Sequence, residues 1–318
     1  FLIITEIYLL LFRTHVNYYA YLLRALGNSF TPLVYLAISV VLNIVLDLLF
    51  ILRLGYGIAG AATATVLSQA VSAIGLWLYC WRKIPETRLT CKDFKISRPL
   101  VRQVFSYVSL TCIQQSVMNF GILMVQGLVN SFGTSVMAAF TAAVKIDSFA
   151  YMPVQDFGNA FSTFTAQNYG AGKKERILQG FKKAFWMTTL FCLLLSALIF
   201  LTAPWLMQIF ISSDEKEIIR IGVEYLRVEG SFYLGIGYLF LWYGFYRAIC
   251  KPHLSIILTI LSLGTRVALA YFLASIPSIG VHGIWWSIPI GWALADIYGQ
   301  VYYWKKKQSL LAPPIVSQ

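Results

Sequence analysis

Asn43 and Asp47 stand four residues apart within an apolar run, so a helix would place them one above the other on a single face. A carboxylate inside such a run costs free energy that ordinary packing does not return, which makes Asp47 a candidate functional group. A second apolar run follows directly and carries Thr65. Counting back from the turn around Arg53–Gly57 at the helical rise, Asn43 lies ~13 Å deep, Asp47 ~8 Å and Thr65 ~12 Å. One carboxylate, one amide and one hydroxyl at a shared depth form an oxygen-rich set suited to a proton or a small cation. The bland alternative is a carboxylate that neighbouring donors satisfy, with no ion turnover.

The elements that must position this set are membrane spans. Of the 318 residues 58% are hydrophobic and only 12% charged, against about 25% charged in soluble domains. That composition predicts an all-α polytopic membrane protein. Nine spans are expected near residues 1–23, 31–52, 57–81, 103–130, 134–166, 181–203, 217–246, 253–275 and 281–304, each long enough to cross a bilayer. The net charge of +12 does not point to nucleic acid, because the basic residues fall in short loops between spans. Arg82–Arg102 carries seven basic and two acidic residues; Lys173–Lys183 and Lys305–Lys307 are also basic. The alternate loops are poor in positive charge, Arg53 excepted, so the basic loops are read as cytoplasmic. The scattered cysteines (Cys80, Cys91, Cys112, Cys192, Cys250) and isolated histidines give no metal set, disulfide framework or catalytic triad, so neither an enzyme nor a cofactor is expected.

The chain also repeats. A shift of 223 residues places Glu6 on Glu229, Arg24-Ala25 on Arg247-Ala248, Gly57-x-x-Gly60 on Gly280-x-x-Gly283 and Tyr79-x-Trp81 on Tyr302-x-Trp304. The shift spans six helices, an even number, so the repeats share one orientation, an arrangement common in secondary transporters. Spans 1–3 match spans 7–9 and leave 4–6 without partners. The expectation is a fragment of a twelve-span protein: residues 1–81 as the last three helices of an N-terminal lobe, 82–102 as a cytoplasmic linker, 103–306 as a six-helix C-terminal lobe and 307–318 as a cytoplasmic tail. The polar set does not repeat: Asn43 maps to Arg266, Asp47 to Ala270 and Thr65 to Ile288.

Three pieces of the chain together resemble the multidrug and toxic compound extrusion (MATE) family. They are the Leu23-Arg24-Ala25-Leu26-Gly27 turn, the Asn43-x-x-x-Asp47 span with Gly57-x-x-Gly60-Ala61-Ala62 after it, and Ser162-Thr163-Phe164-x-x-Gln167-Asn168-x-Gly170-Ala171-Gly172-Lys173. The resemblance implies two pseudo-symmetric lobes of six helices, with this chain holding helices four to twelve. It implies antiport: export of organic cations, drugs and other amphipathic compounds by alternating access, against inward Na+ or H+. It implies a cation site in which Asn43, Asp47 and Thr65 join an acidic residue of the first helix. It also implies a multi-pass protein of a cell membrane, the bacterial cytoplasmic membrane, that is monomeric at full length, with small-molecule substrates and the bilayer as partners.

Other polar positions are candidates for a substrate cavity: Gln115, Asn119, Lys145, Asp147, Glu229 and Arg266. Bare charges at mid-bilayer cost on the order of 3 kcal/mol each, so they need partners or water. Lys145 or Arg266 could balance Glu229; spacing does not choose between them. The alternative function is a lipid-linked oligosaccharide flippase, which would require a strongly basic cavity; Asp47, Asp147 and Glu229 argue against it.

Overall fold

The computed structural model describes residues 2–88 and 97–311. The linker residues 89–96, with Cys91, and the tail residues 312–318 lie outside the described residues. Every element among the described residues is helical. Helices α1 (Leu2–Ala25), α2 (Phe30–Leu48) and α3 (Gly57–Lys83) are followed by α4 (Arg98–Asn130), α5 (Thr134–Gly170) and α6 (Lys174–Phe210). Then come α7 (Lys216–Ser231), α8 (Tyr233–Ala248), α9 (Pro252–Thr259), α10 (Thr265–Ala274) and α11 (Val281–Leu310). Two π-helical turns interrupt the pattern, Leu49–Arg53 at the end of α2 and Ile260–Gly264 between α9 and α10.

These elements follow the nine apolar stretches with two differences. The sixth stretch is longer than expected, running to Phe210. The seventh is broken at Phe232, which leaves helical geometry (φ −112°, ψ 18°) and divides α7 from α8. Gly230 and Ser231 directly before it are the residue types at which helices break. Five helical stretches among the described residues are long and apolar enough to cross a membrane: Phe30–Arg53, Gly57–Lys83, Arg98–Asn130, Lys174–Phe210 and Pro252–Ala274. Of the others, α7 and α8 are too short because the break at Phe232 divides them, and α5 carries polar side chains along its length.

The chain divides into two compact units, Phe1–Ser97 and Arg98–Gln318. In the first, α3 packs against both α1 and α2. Its small core is Leu23, Leu76 and Cys80, flanked by Tyr19, Tyr35 and Tyr79. Asn28 ties the α1–α2 turn by donating to the Thr31 hydroxyl at 2.9 Å and to the Tyr79 hydroxyl at 3.3 Å. In the second unit α5 packs against α6, α7 and α8, and α11 against α10, α8 and α7. The core is aromatic. Phe140 stacks on Trp285 at 5.6 Å with Tyr225 edge-on, and Trp242 gathers Phe181, Phe185, Tyr246 and Tyr303.

The turns recur at the 223-residue offset. After α1, the Asn28 N–H donates to Leu23 O (2.8 Å) and the Gly27 N–H to Arg24 O (3.0 Å), closing a Schellman motif with Gly27 at φ +88°. After α8, the Lys251 N–H donates to Tyr246 O (2.9 Å) and the Cys250 N–H to Arg247 O (3.2 Å), with Cys250 at φ +61°. Gly57 and Gly280, at φ +51° and +53°, open α3 and α11 in the same way. Three residues on, Gly60 and Gly283 permit close approach to Phe50 and Leu273, again a matched pair. The offset seen in the sequence therefore corresponds to the same local backbone built twice.

Candidate functional site

In the first unit α2 and α3 form a hairpin, and their facing residues include the predicted set. The Asn43 side-chain amide donates to Thr65 Oγ1 at 3.4 Å. The Thr65 hydroxyl in turn donates to Ala61 O at 3.0 Å, the usual i−4 bond of a helical threonine. With its amide N–H engaged, Asn43 keeps its carbonyl oxygen as an acceptor. Asp47 is half-buried one turn along α2, and its Oδ1 is shielded from solvent with no hydrogen-bond partner among the described residues. The π turn Leu49–Arg53 begins two residues later. Such turns widen a helix and are frequent at functional sites. Gly60 of α3 sits against that turn: a Cβ there would lie 3.0 Å from Phe50 Cβ. The three side chains offer one anionic and two neutral oxygens, the ligand types that hard cations take. Arg13 and Asn17 of α1 are exposed, as is Glu6.

The second unit holds a different group around a cavity of about 180 Å³. Asp147 of α5 is 6% exposed and Glu229 of α7 is 3% exposed. Tyr233, the first residue of α8, donates its hydroxyl to Asp147 Oδ1 at 2.6 Å, a short charge-assisted bond. Arg266, at the start of α10, lines the same cavity as both carboxylates. Its Nε and Glu229 Oε2 are nevertheless buried without hydrogen-bond partners among the described residues. Two carboxylates and one guanidinium thus line a common cavity, where Gln126, Gln155, Tyr151, Phe240 and Trp292 also form the wall. The helix break at Phe232 lies between Glu229 and Tyr233, and the second π turn ends two residues before Arg266. Irregular backbone at membrane depth persists where it is buried in protein or lines a cavity.

The structure brings Asp147, Glu229 and Arg266 together and leaves three other candidates elsewhere. Lys145 is exposed and lines a neighbouring hollow with Asn130 and Phe210 that shares only Gln126 with the cavity. Gln115 and Asn119 are exposed on α4. Their neighbour Gln114 is the buried one, donating to Thr259 Oγ1 at 3.0 Å. Tyr233 escaped the sequence reading. The Glu229-Gly230-Ser231 run, a carboxylate beside two helix-weakening residues in an apolar stretch, was the available signal.

A family model described as MatE matches residues 110–272. The chain is 31% identical over 240 residues to the probable multidrug resistance protein YpnP of Bacillus subtilis (strain 168), covering 75% of this chain and 53% of that protein. It is 27% identical over 304 residues to the probable multidrug resistance protein YoeA of the same strain, covering 92% and 65%. Among solved structures it is similar to a MATE transporter crystallised in the bent conformation, with TM-score 0.83 and 25% identity over 93% of this chain and 66% of that one. The chain spans between half and two thirds of the length of these relatives.

Proposed function

The chain belongs to the MatE family, and from that premise we propose that it is the greater part of a multi-pass transporter that exports amphipathic small molecules in exchange for an inward-moving cation. The observation that carries the proposal is the Asn43–Thr65 hydrogen bond one helical turn from the shielded oxygen of Asp47, which has no hydrogen-bond partner among the described residues. A carboxylate oxygen held out of water without a donor favours any species that brings positive charge to it. A proton on Asp47, or a sodium ion held by Asp47, Asn43 Oδ1 and Thr65 Oγ1, relieves that cost.

Coupling then needs a protein with two packings that the cation and the substrate prefer differently. Residues 1–81 act as the last three helices of one lobe and 103–306 as the second lobe, joined by the basic linker 82–102. Alternating access between the lobes exposes each site in turn. The cation enters at Asp47 from outside and favours the packing that expels substrate; its release inside resets the cycle. The buried cluster of Asp147, Glu229 and Arg266 supplies the charged wall of the substrate path, with Tyr233 fixing the orientation of Asp147. The protein acts as a monomer in the bacterial cytoplasmic membrane, needs no cofactor and performs no bond-breaking chemistry.

The test is export of a fluorescent organic cation from vesicles containing the full-length protein, under an imposed sodium gradient or an imposed proton gradient. Export driven by one gradient identifies the coupling ion. Export that responds to neither contradicts antiport.

A further inference from the structure

A second feature of the Arg98–Gln318 unit has the form of a ligand site and no part in the cycle above. On the α5–α6 face, a hollow of about 440 Å³ is lined at one end by Arg176 and Lys183 and floored by Phe157, Phe164 and Met187. A second hollow of about 200 Å³ continues from it, sharing Phe157 and Met187 and running on to Pro153 and Phe191. The local sequence explains the groove. Arg176 and Lys183 are seven residues apart, so two helical turns put them on one face of α6. Between them Gly180 lets the Phe164 ring lie flat against the α6 backbone. Pro153, inside α5, removes a backbone hydrogen bond and opens a gap against α6.

The groove carries its two cations in the half nearest the loop, about 10.5 Å apart along the helix, and is apolar beyond them, about 22 Å in all from Arg176 to Phe191. Arg176 and Lys183 have no ion-pair partner among the described residues. A cationic pair followed by an apolar wall is the order of a phospholipid's phosphate and acyl chain.

We infer that this groove is a built site for one anionic diacyl phospholipid. Arg176 and Lys183 hold the phosphate, and one chain lies along Phe157, Met187 and Phe191. Zwitterionic lipid fits the apolar part equally well but leaves the two cations imperfectly matched, so anionic headgroups are preferred.

Native mass spectrometry of the full-length transporter in mild detergent tests this by titration with phosphatidylglycerol, phosphatidylcholine and inorganic phosphate. The expected result is one tightly retained phosphatidylglycerol per protein, with phosphatidylcholine weaker by about tenfold and phosphate unable to displace the lipid. Arg176→Gln with Lys183→Gln weakens phosphatidylglycerol by about tenfold, whereas the charge-matched pair Lys173→Gln with Lys174→Gln, at the neighbouring turn, changes it by less than about twofold. Ala160, exposed on α5, also lines the larger hollow, and Ala160→Trp, which fills it, removes the lipid without lowering the melting temperature of the delipidated protein. Equal retention of both lipids, equal loss in the two charge variants, displacement by phosphate, or full retention in Ala160→Trp would each overturn the assignment.

Discussion

The two units meet the problem of charge inside a membrane in opposite ways. Around Asp47 the chemistry is sparse: one carboxylate, half-buried, with its neighbours Asn43 and Thr65 bonded to each other rather than to it. Around Asp147 it is dense: two nearly inaccessible carboxylates, one guanidinium and a tyrosine hydroxyl at 2.6 Å. A lone carboxylate can change its charge by taking up one cation and disturb little else. A cluster that shares charge internally holds its members in place, and loss of any one leaves the others uncompensated. The sparse group is therefore suited to turnover, and the dense one to shaping a cavity.

Breaking the dense group should produce the largest effect on the folded protein. Arg266→Met removes the guanidinium that lines one cavity with two buried carboxylates and leaves their charge uncompensated, and is expected to cost about 3–5 kcal/mol, read as loss of detergent-stable protein in a melting assay. Adding Glu229→Gln to that variant should restore part of the loss, since one carboxylate then suffices with Tyr233. No recovery would mean that Arg266 balances Asp147 alone.

The matched turns permit a finer comparison. Gly60 and Gly283 occupy equivalent positions, but a Cβ at Gly60 would lie 3.0 Å from Phe50 Cβ and 3.3 Å from the Phe50 carbonyl carbon, whereas one at Gly283 would lie 2.5 Å from Leu273 Cβ and 2.9 Å from the Leu273 carbonyl carbon. Gly283→Ala should destabilise by about 1–3 kcal/mol, and Gly60→Ala by less, in the same melting assay. Equal losses would show that the two turns relax alike.

Smaller again is the effect expected of Tyr233→Phe. It removes one donor from Asp147 and should cost about 1–2 kcal/mol, with a modest change in substrate affinity. At the bottom of the scale, Lys145→Gln should leave melting unchanged within about 0.5 kcal/mol, because that side chain is exposed and away from Glu229.

What the sequence made legible was local. Apolar run length and the Gly and Pro punctuation located the helical stretches. The constant helical rise brought Asn43 and Thr65 to one level across a short turn, and the 223-residue offset anticipated the paired φ values of Gly57 and Gly280. What it hid depends on helix rotation and on breaks. Lys145 and Asp147 are two residues apart, so they cannot share a face, and packing rather than composition decides which turns inward. Tyr233 reaches Asp147 only because the helix breaks at Phe232. No periodicity argument anticipates the direction of a chain after a break. The π turns near Asp47 and Arg266 are likewise invisible in residue types, yet each stands two residues from a candidate charge.

The central claim is that Asp47 takes up the coupling cation while Asp147 and Glu229 do not. Its most direct test is gradient-driven export of a fluorescent organic cation by Asp47→Asn in full-length protein reconstituted in vesicles. Quantified protein in the membrane and gradient-free substrate exchange are read in the same preparation. The account predicts normal insertion, preserved exchange and no response to the gradient. Gradient-driven export at the wild-type rate would contradict it and leave Asn43, Asp47 and Thr65 as a packing feature of the α2–α3 hairpin.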